Sequence, residues 1–414
     1  MSDTKPVVVI GAGIVGVSTA IWLRRSGKQV ILLDKGEPGM GTSYGNAGIL
    51  AACSVAPVTH PGLMFKGPKL LLDPNFPLFV KWSYLPKLVP WLIKYLSHAN
   101  DKDTRRIARG LTDIVADTRE QHRSLAAGTT AADWVTETRY SFAYADRAAY
   151  EADAYTWDIR RDSGFVPDVI EGDAVREFEP NIGQKTGLLA VMRDHGYVRD
   201  PGGYVQALAD VLRAEGGEIR QAEVKDVTLY DGRISAVVTD QGTIDCDTAV
   251  LTTGAASKAL SMKLGLNVPL ESERGYHFVF KNPSFELNHP IMIAAGKFVA
   301  TPMNEGLRCA GVVEFGGLEA GPSKAPLRLL KKKVKEFFPT LEYDECEEWM
   351  GHRPATSDSL PVIGEINNSG VYAGFGHHHI GLTGGPKTGR LIADLISQNG
   401  TNMDLSAFDP ARFK

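Results

Sequence analysis

Cysteine is scarce in this 414-residue chain. The four that occur, Cys53, Cys246, Cys309 and Cys346, are far apart and form no CxxC pair, which excludes the usual zinc spacings and any disulfide framework. A reducing cytoplasm is the compartment this suggests. Apolar runs of about 20 residues are missing as well, so no segment reads as a bilayer span. The apolar opening VVVIGAGIVGV lacks the basic flank and the cleavage site of a signal peptide. Neither sign of charge dominates: 45 Lys and Arg against 49 Asp and Glu leave a net charge of -4, which gives nucleic acid or an anionic membrane no electrostatic hold. Repeats and low-complexity tracts are absent too. A small-molecule partner fits what is left.

Glycine, by contrast, is abundant at 43 residues, above the usual fraction of roughly 7%. The length exceeds that at which one hydrophobic core stops growing, so two domains are expected. Residues 6–34 read as strand, glycine turn, helix and strand: PVVVI, GAGIVG, VSTAIWLRRSG and QVILLD. Residues 61–97, rich in Pro, Leu, Trp and Lys, carry a proline-broken amphipathic pattern. It suits a helical cover over the second domain's core, or a surface that touches a membrane or quinone pool. Residues 104–126 are expected to be helical and 134–145 extended. The segment GYVRDPGGYVQALADVLRAEGG reads as a turn and a helix. Short alternating strands follow, joined by Asp-Gly and Gln-Gly turns, up to AVLTTGA. Residues 268–316 are mostly strand, and 325–338 a helix whose KKKVK run is a solvated face.

The first chemistry-bearing pattern is Gly11, Gly13 and Gly16 between a strand and a helix, with Asp34 ending the next strand. The first glycine permits a tight turn, the second lets the backbone approach a pyrophosphate, and the third allows close helix packing. Asp34 can accept hydrogen bonds from a ribose, and its charge repels the extra phosphate of NADP. A fortuitous glycine turn is the competing reading, and the strand-turn-helix context weighs against it. The segment GTSYGNAGIL at 41–50 is small, polar and glycine-rich, suited to lying along a long extended cofactor such as FAD, or to forming a plain surface loop.

Taken in order, GAGIVG with Asp34, TSYGNAG, GYVRDPGGYVQAL, AVLTTGA, the Gly275–Tyr276 pair, GHRPATSDSLPVIG and GFGHHHIGLTGGPKTGRLIADLI make the chain resemble the D-amino acid oxidase superfamily of flavoproteins. Within it the chain resembles the bacterial D-amino acid dehydrogenase small subunit, and the similarity spans nearly the whole chain. The resemblance implies an α/β fold with an α+β second domain: a Rossmann-like FAD-binding domain carrying an inserted antiparallel β-sheet substrate domain, of the glycine oxidase type. The FAD-binding domain is expected to combine 1–60, 195–268 and 346–414, and the substrate-binding domain 61–194 and 269–345.

The resemblance also implies non-covalent FAD. The contacts fall at Gly11, Ala12, Gly13, Ile14, Val15, Gly16, Asp34, Lys35, Thr42, Ser43, Asn46, Ala47, Gly48, Ile49, Val224, Thr253 and Gly254, with Gly381, Leu382 and Thr383 at the flavin ring. The sarcosine oxidase branch tethers its flavin through a cysteine where this chain has Gly351, so a covalent link is not expected. Arg353 matches the arginine that grips the substrate carboxylate through two parallel hydrogen bonds; a structural pair with Asp358 is the alternative. In ESERGYHFVF, alternation puts Arg274, Tyr276 and Phe278 on one strand face and His277 and Val279 on the other. Tyr276 closes the substrate pocket or is a core tyrosine; Arg274 is a second carboxylate contact or a surface charge.

The final helix is expected to begin at Pro386, with Leu391, Ile392, Leu395 and Ile396 inward and its N-terminus at the reduced flavin's pyrimidine ring. His377 matches a histidine of the family, whereas His378 and His379 stand where glycine and a small residue are usual, which changes the pocket wall. His377 and His378 are candidate catalytic residues, as polar substrate contacts or pH-sensitive groups; core histidines are the other reading. No metal is expected, because adjacent side chains on extended backbone point oppositely.

The implied activity is oxidative deamination of a small amino acid, by hydride transfer from the α-carbon to flavin N5 and hydrolysis of the imine to a keto acid. Proline-like, hydroxyproline and N-alkyl (opine-type) substrates stay open. So does the electron acceptor, whether quinone, carrier protein or oxygen. An FAD-binding subunit that needs a partner chain, a homo- or hetero-oligomer, peripheral contact with the inner membrane, and a flavin-bound protein without catalysis are further readings.

Overall fold

The computed structural model describes residues 5–63, 73 and 75–414. Part of the Pro- and Leu-rich stretch, residues 64–72 and 74, lies outside them. Val7–Ile10 is a strand of four apolar residues, all buried. A strand that is apolar at every position has to be covered on both faces, which places it inside a parallel sheet. It runs parallel to Thr248–Leu251 on one side and Val30–Asp34 on the other. Glu218–Gln221 extends one edge; Val371–Phe375 and the antiparallel Val362–Glu365 complete the other, six strands in all.

The two faces of this sheet divide the apolar residues by parity. Val7 and Val9 belong to the core beneath the helices Ile14–Arg25 and Gly381–Ser397. Val8 and Ile10 belong to the core beneath a three-stranded meander, Val224–Tyr230, Arg233–Thr239 and Gly242–Asp245. The two helices touch closely at Gly389, where a Cβ would stand 2.6 Å from the Thr19 amide. The expected Asp-Gly hairpin is present, with Asp231 and Gly232 both at positive φ, as a tight two-residue turn requires.

A ten-stranded sheet forms the second layer. Its path runs Glu345–Thr356, Leu270–Lys281, Gly306–Phe315, Phe298–Met303, Ile291–Ile293, Val135–Tyr144, Leu188–Val198 and Ile49–Leu50. Leu78–Val80 and Asp168–Glu171 pair at its sides. Helix Lys324–Phe337 covers one face, burying Leu327, Leu330, Val334 and Phe337 against Tyr276, Phe278 and Phe280. Helix Leu85–Ser97 packs Leu88, Trp91 and Tyr95 with Phe315 and Ala355, and Trp91 Nε1 donates to the Ala355 carbonyl at 3.1 Å. That is the helical cover; Trp82, Val89 and Ile93 of the same stretch face outward. Among the described residues no helix is long and apolar enough to cross a membrane.

The single helix expected at 104–126 is two, Asp101–Val115 and Thr118–Ala126. The first starts earlier because the Asn100 side chain accepts from the Asp103 amide at 3.0 Å and caps it.

Candidate active site

The glycine turn is built by contact as well as by conformation. Gly11 has φ +106, and a Cβ there would stand 2.7 Å from the Thr252 carbonyl oxygen. A Cβ on Gly16 would stand 1.8 Å from the Gly11 oxygen. At Gly13, by comparison, a Cβ would meet only the Ser43 hydroxyl, at 3.4 Å. The turn is therefore locked behind Gly11 and Gly16 and open in front of Gly13. Helix Ile14–Arg25 begins at that opening with no acidic residue in its first turn, so its free N–H groups and dipole suit a pyrophosphate.

Asp34 accepts from the Ala12 amide at 2.7 Å and the Gly36 amide at 3.0 Å. Ser43 Oγ lies 3.1 Å from the Ile14 amide. Ile14 and Val15 are buried in the core below. Lys35 is exposed, and the half-buried Val224 opens the meander beside the end of Val30–Asp34. Thr253 and Gly254 follow Thr248–Leu251, with Gly254 at φ +58 and open space at its Cβ position. This cradle of glycines, a carboxylate and a helix end fits the adenosine diphosphate end of FAD.

The segment Thr42–Ile49 continues from the cradle onto the ten-stranded sheet. Thr42 Oγ1 donates to the His352 carbonyl at 3.0 Å. Arg308, buried on Gly306–Phe315, donates from Nη1 to the carbonyls of Tyr44 and Asn46, both at 2.8 Å. His277 Nδ1 bonds the Gly45 carbonyl at 3.1 Å, and its ring stacks on Trp349 at 5.0 Å. Asn46 Oδ1 accepts from the Gly48 amide at 2.9 Å, and Ile49 pairs with Tyr197. Ala47 packs beside Ile49. Sequence reasoning missed Arg308, His277 and Trp349, because the bonds reach across more than two hundred residues or across a strand register.

Register decides which groups meet Arg353. Leu270–Lys281 pairs antiparallel with Glu345–Thr356 without a shift: Glu273 opposes Arg353, Gly275 opposes Gly351 and His277 opposes Trp349. Directly opposed residues share a face, so these six do. Arg353 lies over Gly275, where a Cβ would stand 2.3 Å from Nη2. Its Nη1 donates to Glu273 Oε1 at 2.8 Å, so its carboxylate partner is Glu273 and not Asp358, which Arg412 takes at 2.8 Å. Burial opposes the charge on Glu273, but His378 and Arg353 outweigh it and hold the carboxyl well below the ordinary range.

Leu382 and Thr383 sit in the first turn of the last helix, which begins at Gly381 and not at Pro386. Pro386 has no N–H for the Leu382 carbonyl. His122 Nε2 supplies the missing donor at 3.0 Å, while its Nδ1 meets the Tyr204 hydroxyl at 2.9 Å. Thr118 Oγ1 donates to the Thr383 carbonyl at 2.7 Å, and Thr383 Oγ1 to that of Ile49. Burial pushes His122 down to about 4, so its neutral ring serves as one donor and one acceptor. Replacing His122 with Phe leaves the Leu382 carbonyl unpaired; the melting curve is expected to report a loss of about 1–3 kcal/mol.

Residues 6–395 match the family described as FAD dependent oxidoreductase (DAO). The chain belongs to this family. Among curated relatives, a D-amino-acid oxidase of Bradyrhizobium diazoefficiens is 40% identical over 422 aligned positions, covering 100% of both chains. A D-amino acid dehydrogenase of Helicobacter pylori is 29% identical over 96% of each chain. Among solved structures, glycine oxidase from Geobacillus kaustophilus superposes with a TM-score of 0.75 at 20% identity and 98% coverage of each chain. L-proline dehydrogenase from P. horikoshii gives 0.73 at 20% identity, covering 100% of this chain and 98% of the other. These likenesses fix the fold.

In this DAO-family member the remaining candidates separate. Tyr276 and Arg274 share a face, as alternation predicts, but it is the face away from Arg353. Tyr276 is 1% exposed and its hydroxyl bonds Glu314; Arg274, fully buried, lies 3.1 Å from Glu314 and donates to the Gly321 carbonyl. In the Gly-Tyr pair it is the glycine that meets Arg353. The three histidines are not on extended backbone. His377 Nε2 bonds Thr388 Oγ1 at 2.8 Å, and His378–Ile380 then forms a single tight turn with His378 at φ +52. His378 Nδ1 lies 3.0 Å from His379 Nδ1, and its Nε2 lies 2.9 Å from Glu273 Oε2, a charge contact without hydrogen-bond alignment.

Proposed function

We propose that this protein oxidises the α-carbon of a small amino acid, D-configured or a related secondary amine, to an imino acid that water hydrolyses to a keto acid and ammonia, or to a keto acid and the alkylated amine where the substrate nitrogen is secondary. The names of the curated relatives, D-amino-acid oxidase and D-amino acid dehydrogenase, support the class of substrate. The observation that carries the reading is Arg353, laid over Gly275 on the face that also holds the Thr42–Ile49 segment. Bound FAD supplies the acceptor for the two electrons. Arg353 fixes the substrate carboxylate, so that the α-hydrogen is turned toward the acceptor. Its recorded bonds leave from Nη1, which keeps the Nε–Nη2 edge for a ligand.

FAD is held without a covalent bond. The tether position is Gly351, and any side chain there would meet Trp349 at 1.9 Å. The FAD-binding domain centres on the six-stranded sheet, drawn from the three segments around 7–34, 218–251 and 362–375. The substrate domain centres on the ten-stranded sheet.

The test is anaerobic: purified yellow protein is mixed with D-, L- and N-substituted amino acids and its visible absorbance followed. Bleaching by D-amino acids or cyclic secondary amines is expected. Absence of bleaching by every amino acid overturns the reading, and a requirement for a second chain would identify a subunit of a larger enzyme.

A further inference from the structure

A carboxylate beside the substrate-binding guanidinium is a competitor for it. Glu273 is nine-tenths buried, on the strand register directly opposite Arg353, and the two lie 2.8 Å apart. An amino acid carries the same two charges in mirror order: its carboxylate and its ammonium are separated by one carbon. Laid along the pair, each charge of the zwitterion faces its opposite. We propose that Glu273 binds the α-amino group of the substrate while Arg353 takes the α-carboxylate, so that this cross-strand pair selects amino acids over acids that lack the nitrogen. The inference rests on the reading of the function given above.

The surroundings favour this role over that of a plain counterion. A structural carboxylate next to a guanidinium usually takes two parallel N–H bonds; Glu273 takes one, from Nη1. Its other oxygen is faced by His378, which is held in a left-handed backbone conformation that few non-glycine residues adopt. The backbone beneath carries no Cβ at Gly275 and Gly351, so Arg353 and Trp349 lie close against it on the same face. Among the described residues, the charged or titratable groups that face Glu273 are Arg353 from the partner strand, His378 and His379 from the tight turn, and Tyr95 from helix Leu85–Ser97, whose hydroxyl is pushed up by burial and by the Glu273 charge; Glu271, next on the same strand face, is bonded by the Tyr84 hydroxyl. Phe315, also on this side, is apolar. A substrate carboxylate on the Nε–Nη2 edge draws on the guanidinium charge that offsets the buried Glu273, and an ammonium is the ligand group that restores the balance.

The experiment compares the full-length flavoprotein with its Glu273→Gln variant, using D-alanine and its amine-free analogue propionate. KM for D-alanine is expected to rise roughly tenfold to a hundredfold, as for loss of a hydrogen bond to a charged group. Propionate, measured by calorimetric titration and as a competitive inhibitor, is expected to bind several-fold more tightly, since Arg353 loses its internal competitor. Glu273→Asp keeps the charge and is expected to restore part of the D-alanine affinity, which controls for misfolding. Opposite signs for the two ligands support the inference. Weakening of both ligands, or no change in either, overturns it and makes Glu273 a structural residue. If the wild type itself neither binds nor oxidises D-alanine or any other amino acid, the functional reading fails first, and the inference with it.

Discussion

Arg353→Ala is expected to lower kcat/KM for the amino acid substrate by roughly thirtyfold to several thousandfold, mostly through KM, while FAD stays bound. Truncating one member of a close charge pair costs about 2–5 kcal/mol in binding, which sets that range. The split between KM and kcat follows from what the guanidinium touches. In the proposed complex it holds the end of the substrate that does not change charge in the reaction, so ground state and transition state lose similar amounts. Cofactor binding should be spared because the bonds that hold Thr42–Ile49 come from Arg308, His277 and His352, not from Arg353. Arg353→Lys separates charge from shape: a lysine keeps the positive charge but not the planar fork, and recovers only part of the loss. Unchanged steady-state kinetics for the alanine variant would remove Arg353 from the site.

What could be read in the sequence were the features set by neighbours along the chain. GAGIVG with Asp34 declares its strand, turn and helix because Gly16 answers a contact with Gly11 and Asp34 accepts from the Ala12 amide, both within this short stretch. Asp231–Gly232 declares its hairpin for the same reason. Leu270–Lys281 announced its alternation, so Arg274 and Tyr276 fall together as expected. Which of its two faces carries Arg353 was not legible. That depends on Glu345–Thr356, whose Arg353 opposes a residue 80 positions earlier, and no local pattern carries this register. Tyr276 was placed by likeness in the substrate pocket and lies on the face away from Arg353, while Glu273 and Gly275, on the face that carries Arg353, went unnoticed.

The start of the last helix illustrates the same limit. Proline is common in a first helical turn, and Pro386 read naturally as the beginning. The helix extends five residues further because His122, on another helix, donates to the carbonyl that the proline cannot serve. A local rule was overridden by one tertiary hydrogen bond. The shift matters for the site, since it brings Gly381, Leu382 and Thr383 into the helical turn itself.

Two of the three glycines of the nucleotide turn, Gly13 and Gly16, predict different failures. With Gly16→Ala, the new Cβ would stand 1.8 Å from the Gly11 oxygen and 2.7 Å from Thr252 Oγ1. Neither neighbour can yield cheaply. The Gly11 oxygen already accepts from Thr252 Oγ1 at 2.9 Å, and the Gly11 backbone is itself pressed against the Thr252 carbonyl. The helix Ile14–Arg25 must then back away from the turn, parting from Gly381–Ser397 on its other side. A cost of about 3 kcal/mol or more is expected, with a matching fall in Tm. The purified variant should be colourless, because the helix end no longer lies where the pyrophosphate needs it. Gly13→Ala faces open space and meets only Ser43 Oγ at 3.4 Å, so the melting temperature of the flavin-free protein should hardly change. The methyl group instead occupies the approach to the pyrophosphate, and FAD titration followed by fluorescence quenching should report a weaker Kd. If the Gly16 variant melts like the wild type and stays yellow, the close packing of turn and helix does not govern cofactor binding; if the Gly13 variant binds FAD normally, the cofactor does not pass over that opening.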